Sequence, residues 1–337
     1  MKAVVLVGGE GTRLRPLTET IPKPLVPLVD RPFLAHVLDR LGRQGVTEVI
    51  LSSSYLGPRF QEFVDSRSGH PAVTWVTEGV PLGTAGAIAG AVHHLHETFL
   101  VCNGDILTDL DVQELVAEHH RAGAVATIAL TPVDDARPYG LVETDAEGRV
   151  LAFREKPTEL VPGSINAGTY VLEPEAMEGV DSDRSVSIER ETFPSLIASG
   201  RPVYAFVSNA YWLDLGTPEK YLRATFDVLE GLVGGLRFVA PHVDPTADVS
   251  LRAQVGRWVV AGPAASVGEG AEVEDTVLLA GSSVGPGAKV RRTIVGPLAR
   301  VGGGAVLEDA VLAEGAVVAP GTSSRGARVA AGAAFAG

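Results

Sequence analysis

A glycine-rich segment near the N-terminus has the residue types that bind the phosphates of a nucleotide. Residues 8–13, Gly-Gly-Glu-Gly-Thr-Arg, follow the apolar run 3–7, which is typical of a buried strand in a parallel sheet. Glycines let the backbone approach a phosphate chain closely, and arginine makes bidentate phosphate contacts. Lys23 stands between two prolines that stiffen its loop. We therefore predict that a nucleotide binds to Gly8, Gly9, Gly11, Thr12 and Arg13.

Two aspartates follow predicted buried strands later in the chain and are candidates for binding a divalent cation. Asp105 comes after the run 99–102, and Asp214 comes after the run 211–213. Carboxylate oxygens are preferred ligands of Mg²⁺, which neutralises phosphate charge. Asp105 taken alone is equally compatible with a turn residue, because it lies in the sequence Asn-Gly-Asp. Asp105 and Asp214 are therefore candidate ligands of Mg²⁺, and the alternative for Asp105 stays open at this point.

The elements that must position these side chains form a predicted α/β domain. Strand and helix patterns alternate from residue 1 to about residue 230, which predicts a mostly parallel sheet with helices on both faces. Asp111 and Glu114 form a capping box for one of these helices. Between residues 139 and 170 the strand patterns become shorter and alternate, which predicts an antiparallel lobe laid over the site. Predicted strands cover residues 48–51, 73–77, 99–102, 126–130, 203–207 and 211–213.

The composition changes near residue 231, where the chain becomes rich in Gly, Ala and Val. Aliphatic or small residues then recur every six positions, which is the hexapeptide signature of a parallel β-helix. The rhythm runs through Val243, Val249, Val255, Ala261, Val267, Val273 and Leu279, and after a slip through Val295, Val301, Leu307, Ala313 and Ala319. We predict two domains, with residues 1–232 catalytic and residues 240–335 forming the β-helix.

Composition and charge limit the classes of partner. The net charge of −13 over 337 residues argues against nucleic acid or an anionic membrane as a partner. No stretch approaches the roughly 20 apolar residues of a membrane span. Cys102 is the single cysteine, so an intrachain disulfide is excluded, and a cytoplasmic location is expected.

The glycine-rich segment is part of a longer motif. Residues 8–18 read G-G-E-G-T-R-L-R-P-L-T, and residues 22–24 read P-K-P. This motif resembles the signature of the sugar-nucleotide pyrophosphorylases, which join a sugar 1-phosphate to a nucleoside triphosphate and release pyrophosphate. The resemblance implies a Rossmann-like, mostly parallel sheet sandwiched by helices, followed by a left-handed parallel β-helix. It implies catalytic roles for Arg13, Lys23 and Lys156, and a metal site at Asp105 and Asp214.

Further segments resemble the nucleobase and sugar contacts of that family. Residues 81–86 resemble the segment that wraps the nucleobase, and E-K-P at 155–157 resembles the motif whose lysine neutralises the sugar phosphate. N-A-G at 166–168 resembles a sugar-contact segment. The implied additional nucleotide contacts are Gly83, Thr84, Asn103 and Gly104. Glu78 lies just before this segment and is a further candidate nucleotide contact, and it is equally compatible with a surface glutamate in a loop. The implied sugar contacts are Tyr139, Gly140, Glu155, Lys156, Asn166 and Gly168.

The segment 187–194, S-I-E-R-E-T-F-P, is similar to one in the GDP-mannose pyrophosphorylase branch of the family. This implies transfer from GTP to mannose 1-phosphate, which gives GDP-mannose and pyrophosphate. The same chemistry with glucose, heptose or cyclitol phosphates and with GTP, dTTP or UTP is the alternative. A non-catalytic regulatory subunit and acyl transfer by the β-helix are less favoured alternatives. We expect the β-helix to have a structural or oligomerising role, and the chain to form a homo-oligomer.

Glu78 lies just before the nucleobase segment and generates a test of base selectivity. The pairing edge of guanine offers two adjacent donors, N1–H and the exocyclic amine, and a carboxylate accepts both. Uracil, thymine and adenine lack that pair of donors. We expect Glu78→Gln to lose the preference for GTP, measured as the ratio of kcat/KM for GTP to that for other nucleoside triphosphates. Unchanged selectivity would rule out Glu78 as the residue that reads guanine.

Overall fold

The computed structural model of the protein describes residues 1–53, 56–77, 80–91, 93, 95–155, 158, 161–181 and 184–337. Two compact units are formed, and they do not follow the linear order of the chain. The first comprises Met1–Gly9 and His36–Trp212, and the second comprises Glu10–Ala35 and Leu213–Gly337. The predicted division at residues 232 and 240 stays a prediction.

The N-terminal two thirds of the chain contains thirteen strands and six α-helices among the described residues. The strands are β1 Lys2–Leu6, β2 Pro27–Leu28, β3 Arg31–Pro32, β4 Glu48–Ser53, β5 Ala72–Thr77, β6 Phe99–Asn103, β7 Ile106–Thr108, β8 Ala126–Val133, β9 Gly140–Thr144, β10 Val150–Glu155, β11 Gly163–Leu172, β12 Val203–Val207 and β13 Trp212–Asp214. The helices are α1 Phe33–Arg43, α2 Gly57–Ser66, α3 Gly83–Ala91, α4 Val112–Ala122, α5 Phe193–Ala198 and α6 Pro218–Leu229. In the described ranges, none of the helices has the length and apolarity needed to cross a membrane.

A nine-stranded sheet forms the centre of the first unit. Its parallel part has the order β5-β4-β1-β6, in which Val4 of β1 lies beside both Ile50 and Val101. These residues are fully buried together with Ile88 of α3, which explains the continuous apolar runs in the sequence. The chain places β4 and β5 on one side of β1 and then crosses to β6 on the other side. The carboxyl ends of β1 and β6 therefore flank the topological switch point, where α/β proteins bind ligands.

The antiparallel pairing predicted between residues 139 and 170 is confirmed, and the strands involved are part of the central sheet. Strand β11 pairs with β6 of the parallel part and also with β8 and β9, so all of them belong to the same sheet. Asp111 caps α4 as predicted, because its carboxylate accepts the backbone N–H groups of Gln113 and Glu114. A π-helical turn, Ile188–Thr192, leads directly into α5.

The C-terminal part of the second unit is a left-handed β-helix built from three parallel sheets. Their orders are β14-β17-β20-β23-β26-β29, β15-β18-β21-β24-β27-β30 and β16-β19-β22-β25-β28. The strands are β14 His242–Val243, β15 Asp248–Val249, β16 Gln254–Val255, β17 Val260–Ala261, β18 Ser266–Val267, β19 Glu272–Glu274, β20 Val277–Leu278, β21 Ser283–Val284, β22 Lys289–Arg291, β23 Ile294–Val295, β24 Arg300–Val301, β25 Val306–Glu308, β26 Val311–Leu312, β27 Val317–Val318, β28 Ser323–Arg325, β29 Arg328–Val329 and β30 Ala334–Phe335.

The six-residue rhythm predicts the wrong inward residue at three positions. Ala261 pairs with Leu278, and Val295 pairs with Leu312, so a coil there spans 17 residues rather than 18. The core of the β-helix accordingly contains Leu278, Leu312 and Val318, one position before the predicted Leu279, Ala313 and Ala319.

The missing residue is taken from one corner of the coil. Asp275, Arg292 and Asp309 stand there at successive 17-residue intervals, and all three have positive φ angles. A residue in this left-handed conformation turns the chain sharply. Fully buried threonines, Thr276 and Thr293, directly follow the first two of these corner residues. Their hydroxyls accept backbone N–H groups of the next coil.

Strand β27 offers a direct test of this register, because it contains two adjacent valines in opposite environments. Val318 is 1% exposed and Val317 is 41% exposed. We expect Val318→Ala to lower the free energy of unfolding by about 2 kcal/mol, since two buried methyl groups are lost and a cavity remains. Val317→Ala is the matched control and should change it by less than about 0.5 kcal/mol. Denaturant unfolding of the full chain measures both losses of stability. A larger loss for Val317→Ala than for Val318→Ala would support the six-residue register instead.

Candidate active site

The predicted nucleotide contacts of the first unit lie at the switch point of the sheet. Gly8 and Gly9 follow β1, while Asn103 ends β6 and is followed by Gly104. The N–H of Gly104 donates to the carbonyl oxygen of Leu6 at 2.8 Å. A Cβ atom on Gly104 would stand 2.8 Å from that oxygen and 2.6 Å from a methyl carbon of Val7, so a side chain does not fit. The absence of a side chain at residue 104 lets the two loops lie against each other.

The segment predicted to wrap the nucleobase is fixed at the start of α3. Gly83 has a φ angle of +68°, and a Cβ atom there would lie 2.6 Å from the carbonyl oxygen of Val186. That oxygen accepts the N–H of Ala85 at 2.9 Å, and the N–H of Val186 donates to Leu82 at 2.8 Å. Thr84 therefore has a defined position beside the chain around residue 186. Glu78 lies outside the described residues.

Three of the predicted sugar contacts meet in one cavity of the first unit. The cavity has a volume of about 390 Å³ and is lined by Tyr139, Gly140, Asn166, Ser187, Glu189 and Arg190. Its volume falls within the range of small-molecule sites. Asn166 also accepts the N–H of Gly168 at 2.9 Å, which places that predicted residue next to the cavity lining. Lys156 and the side chain of Glu155 lie outside the described part of the chain.

One wall of the cavity is supported by aromatic packing. The ring of Tyr139 meets the indole of Trp212 edge-on, with 5.3 Å between ring centroids. The indole N–H of Trp212 donates to the carbonyl oxygen of Ala167 at 3.0 Å. Trp212 therefore links the tyrosine to the strand that carries Asn166.

In the second unit, three basic side chains converge on the carboxylate of Asp214. Lys23 donates to Oδ1 at 3.4 Å, and Lys220 donates to Oδ2 at 3.0 Å. The guanidinium of Arg13 lies 3.7 Å from Oδ2. Burial alone would raise the pKa of Asp214, but the charges of Lys23, Lys220 and Arg13 outweigh it and lower the pKa. The group formed by Arg13, Lys23 and Lys220 is called the cationic cluster below.

The local fold of the glycine-rich loop explains how the cationic cluster is placed. The hydroxyl of Thr18 donates to the carbonyl oxygen of Gly11 at 2.8 Å, which closes the loop on itself. Thr12 and Arg13 then form a one-turn helix, Thr12–Leu14, and Lys23 begins another one-turn helix, Lys23–Leu25. The side chain of Lys23 is only 8% exposed, whereas that of Arg13 is 65% exposed. The cluster thus has one buried and one accessible cation, an arrangement suited to a multiply charged phosphate.

Sequence reasoning missed Lys220, although the sequence contains a signal for it. Thr217 caps α6 by accepting the N–H of Lys220 at 3.3 Å, so this lysine lies in the first turn of the helix. A cation is unfavourable there, because the N-terminus of a helix carries partial positive charge. Its ion pair with Asp214 offsets that cost and turns the side chain toward the cationic cluster.

The two predicted metal ligands belong to different units, Asp105 to the first and Asp214 to the second. Within the described residues, no group of three or more His, Cys, Asp or Glu side chains forms a metal site by itself. Each aspartate has the ligand chemistry that this ion prefers, because Mg²⁺ usually binds one or two carboxylates together with water and substrate phosphates. The magnesium site stays a prediction.

Comparison with known proteins assigns the family. Residues 2–231 of the 337-residue chain match the family model described as Nucleotidyl transferase. The chain belongs to this family. Residues 240–332 match a second model, described as the GMPPB C-terminal domain. The protein is therefore a nucleotidyltransferase enzyme with a C-terminal β-helix.

Relatives of this nucleotidyltransferase cover most of its length. The mannose-1-phosphate guanylyltransferase of Mycobacterium tuberculosis is 39% identical and covers 86% of this chain and 83% of its own. The mannose-1-phosphate guanyltransferase of Candida albicans is 37% identical and covers 88% and 86%. The crystal structure of HddC from Yersinia pseudotuberculosis, complexed with GMP-PN, has a TM-score of 0.60 and 33% identity, and covers 67% of this chain and 98% of its own.

The lowered pKa of Asp214 predicts how the effect of removing its charge depends on pH. In the folded nucleotidyltransferase the pKa lies below the unfolded value of about 3.9, so the stabilisation is complete above that value and is lost as pH falls through the folded pKa. We expect Asp214→Asn to lower the free energy of unfolding by roughly 1–3 kcal/mol at pH 7.

The loss should be the same at pH 7 and at pH 5 and should shrink only below about pH 4. Denaturant unfolding at a series of pH values measures it. The exposed Asp248→Asn serves as the matched control and should have little effect at any pH. A loss that already declines at pH 6 would mean that the pKa of Asp214 is raised instead.

Proposed function

We propose that this sugar-1-phosphate nucleotidyltransferase transfers GMP from GTP to mannose 1-phosphate, giving GDP-mannose and pyrophosphate. The observation that carries the proposal is the convergence of Arg13, Lys23 and Lys220 on Asp214, which provides charge for a polyphosphate. The choice of GTP and mannose 1-phosphate is supported by the activities named for the relatives from M. tuberculosis and C. albicans. The structure of HddC complexed with GMP-PN supports guanine as the base.

In the proposed reaction, an oxygen of the sugar phosphate attacks the α-phosphorus of GTP in line with the leaving group. A bond forms between that oxygen and the α-phosphorus, and the bond from the α-phosphorus to the bridging oxygen of the β-phosphate breaks. Pyrophosphate leaves with the electron pair. The work of the protein is to position two anions and to neutralise their charge. Arg13, Lys23 and Lys220 would neutralise the triphosphate, and Lys156 would neutralise the sugar phosphate.

Asp105 and Asp214 are the residues that we propose to hold Mg²⁺. When bound, the ion would withdraw charge from the phosphate oxygens of the nucleotide. Lys23 and Lys220 assist by keeping Asp214 ionised, which a metal ligand must be. Sugar recognition falls to the cavity that contains Tyr139, Gly140 and Asn166. A homo-oligomeric state and a cytoplasmic location complete the proposal.

The test is pyrophosphate release by the purified full chain with Mg²⁺. GTP, dTTP, UTP, ATP and CTP are each combined with mannose 1-phosphate and with glucose 1-phosphate. We expect turnover to be confined to GTP with mannose 1-phosphate. Turnover with another pair would support the reaction class and contradict the substrate assignment. No pyrophosphate release with any pair would contradict the proposal.

The same assay tests the metal ligands. Asp105→Asn removes one negative charge with little change of shape, and we expect turnover to fall by about 100-fold or more. Added Mg²⁺ should not restore wild-type turnover. The exposed Asp248→Asn of the β-helix is the control and should keep turnover. If Asp105→Asn left turnover intact, the assignment of Asp105 to the metal would be wrong.

A further inference from the structure

One carboxylate in the first unit links the start of α3 to the strand that lines the sugar cavity. Oε2 of Glu189 accepts the hydroxyl of Thr84 at 2.9 Å and that of Ser187 at 2.8 Å. Oε1 of the same residue accepts the hydroxyl of Tyr170 at 3.3 Å. Glu189 itself lies in the π-helical turn Ile188–Thr192, a distortion that is frequent at functional sites.

On the side of the predicted nucleobase segment, the Thr84 hydroxyl donates one hydrogen bond and accepts another. A threonine hydroxyl has a single hydrogen, and here that hydrogen is directed at Glu189. The oxygen of Thr84 accepts the backbone N–H of Ile188 at 2.8 Å. The second residue of α3 is therefore bonded to two consecutive residues of the π-helical turn.

On the side of the sugar cavity, the link continues through a buried phenol. Tyr170 is fully buried, and its single hydroxyl hydrogen is directed at Glu189. Its oxygen accepts the side-chain N–H of Asn166 at 2.7 Å. The opposite end of that amide accepts the N–H of Gly168, so the orientation of Asn166 is determined by its partners. A chain of hydrogen bonds thus runs from Thr84 through Glu189 and Tyr170 to a residue that lines the cavity.

We propose that Glu189 is a positioning residue that couples binding of the nucleotide to binding of the sugar 1-phosphate. The inference rests on the proposed function, which places the nucleobase beside Thr84 and the sugar beside Asn166. A carboxylate only accepts hydrogen bonds, so it orients all three hydroxyls at once. A shift of α3 on nucleotide binding changes the position of Glu189 and, through Tyr170, the orientation of Asn166. Each substrate then binds more tightly when the other is present.

The experiment measures this coupling by calorimetry with the substrate pair that the pyrophosphate-release assay selects. The dissociation constant of the sugar 1-phosphate is determined with and without a saturating non-hydrolysable analogue of the nucleoside triphosphate. In the wild-type enzyme we expect the analogue to tighten binding by about 10-fold, and the reverse experiment must give the same factor. In Glu189→Gln, which replaces one acceptor by a donor, we expect the factor to fall close to 1.

Glu191→Gln is the matched control, because it changes a carboxylate of the same π-helical turn. Glu191 is exposed and pairs with Arg184 at 2.9 Å, without contact to Thr84 or Tyr170 in the described contacts. It should keep the wild-type coupling. A second pair of variants keeps the test decisive if Glu189→Gln does not fold. Thr84→Ser keeps the hydroxyl and should keep the coupling factor, whereas Thr84→Val removes the hydroxyl and should lower the factor toward 1.

The outcomes separate the inference from the proposed function. An active enzyme whose Glu189→Gln and Thr84→Val variants retain the wild-type coupling factor contradicts the inference and leaves the proposed function standing. A wild-type factor of 1 in an active enzyme also contradicts it. If the enzyme releases no pyrophosphate with any substrate pair, the proposed function is contradicted, and the inference that rests on it is contradicted as well. Equal weakening of both substrates with an unchanged factor would show that Glu189 has only a structural role.

Discussion

The attraction between the carboxylate of Asp214 and three cations is the interaction on which the proposed phosphate chemistry depends. Lys23 is largely buried, and a buried ammonium is costly unless an opposite charge lies close to it. Asp214 supplies that charge and in return stays ionised. The rigid elements around the pair fix the geometry: prolines flank Lys23, and Thr217 caps the helix that carries Lys220. The charges are therefore in place before a substrate arrives, which is the condition for electrostatic catalysis.

Within the second unit, the β-helix supports the helix that carries Lys220. The ring of Phe226 on α6 stacks on Trp258 of the first coil, with 5.9 Å between centroids. Glu230, just after α6, pairs with Arg257 at 2.8 Å, and Glu219 lies 3.6 Å from Arg328. The sequence alone predicted only a structural or oligomerising tail. These contacts give the tail a more specific structural role, since they hold both ends of a helix whose first turn contributes to the cationic cluster.

The sequence predicted the sheet, the N-cap of α4 and the β-helix because each has a strong local signal. Buried parallel strands read as apolar runs, and hexapeptide coils read as a six-residue period. The register of the coils was harder to read, because Leu278 and Leu279 are both apolar and the 17-residue spacing arises at a corner where Asp275 has a positive φ angle. Sequence spacing could not assign Glu189 its role, because its partners Thr84 and Tyr170 are distant in the chain and meet it only in the folded unit.

Selectivity for the sugar depends on more precise geometry than the reaction itself does. Neutralisation of a phosphate tolerates small changes of geometry, so a sequence motif is enough to predict a phosphate site. Recognition of sugar stereochemistry depends on single hydrogen bonds, which a motif does not specify. Asn166 uses one N–H on Tyr170 and one lone pair on Gly168, which leaves its amide a further donor and a further acceptor position. A sugar hydroxyl both donates and accepts, so it can match that pair of positions only in the correct orientation. In the proposed enzyme Glu189 orients Asn166 through Tyr170 as well as lining the cavity itself, so we expect specificity for the sugar to depend on Glu189 as well as on Asn166.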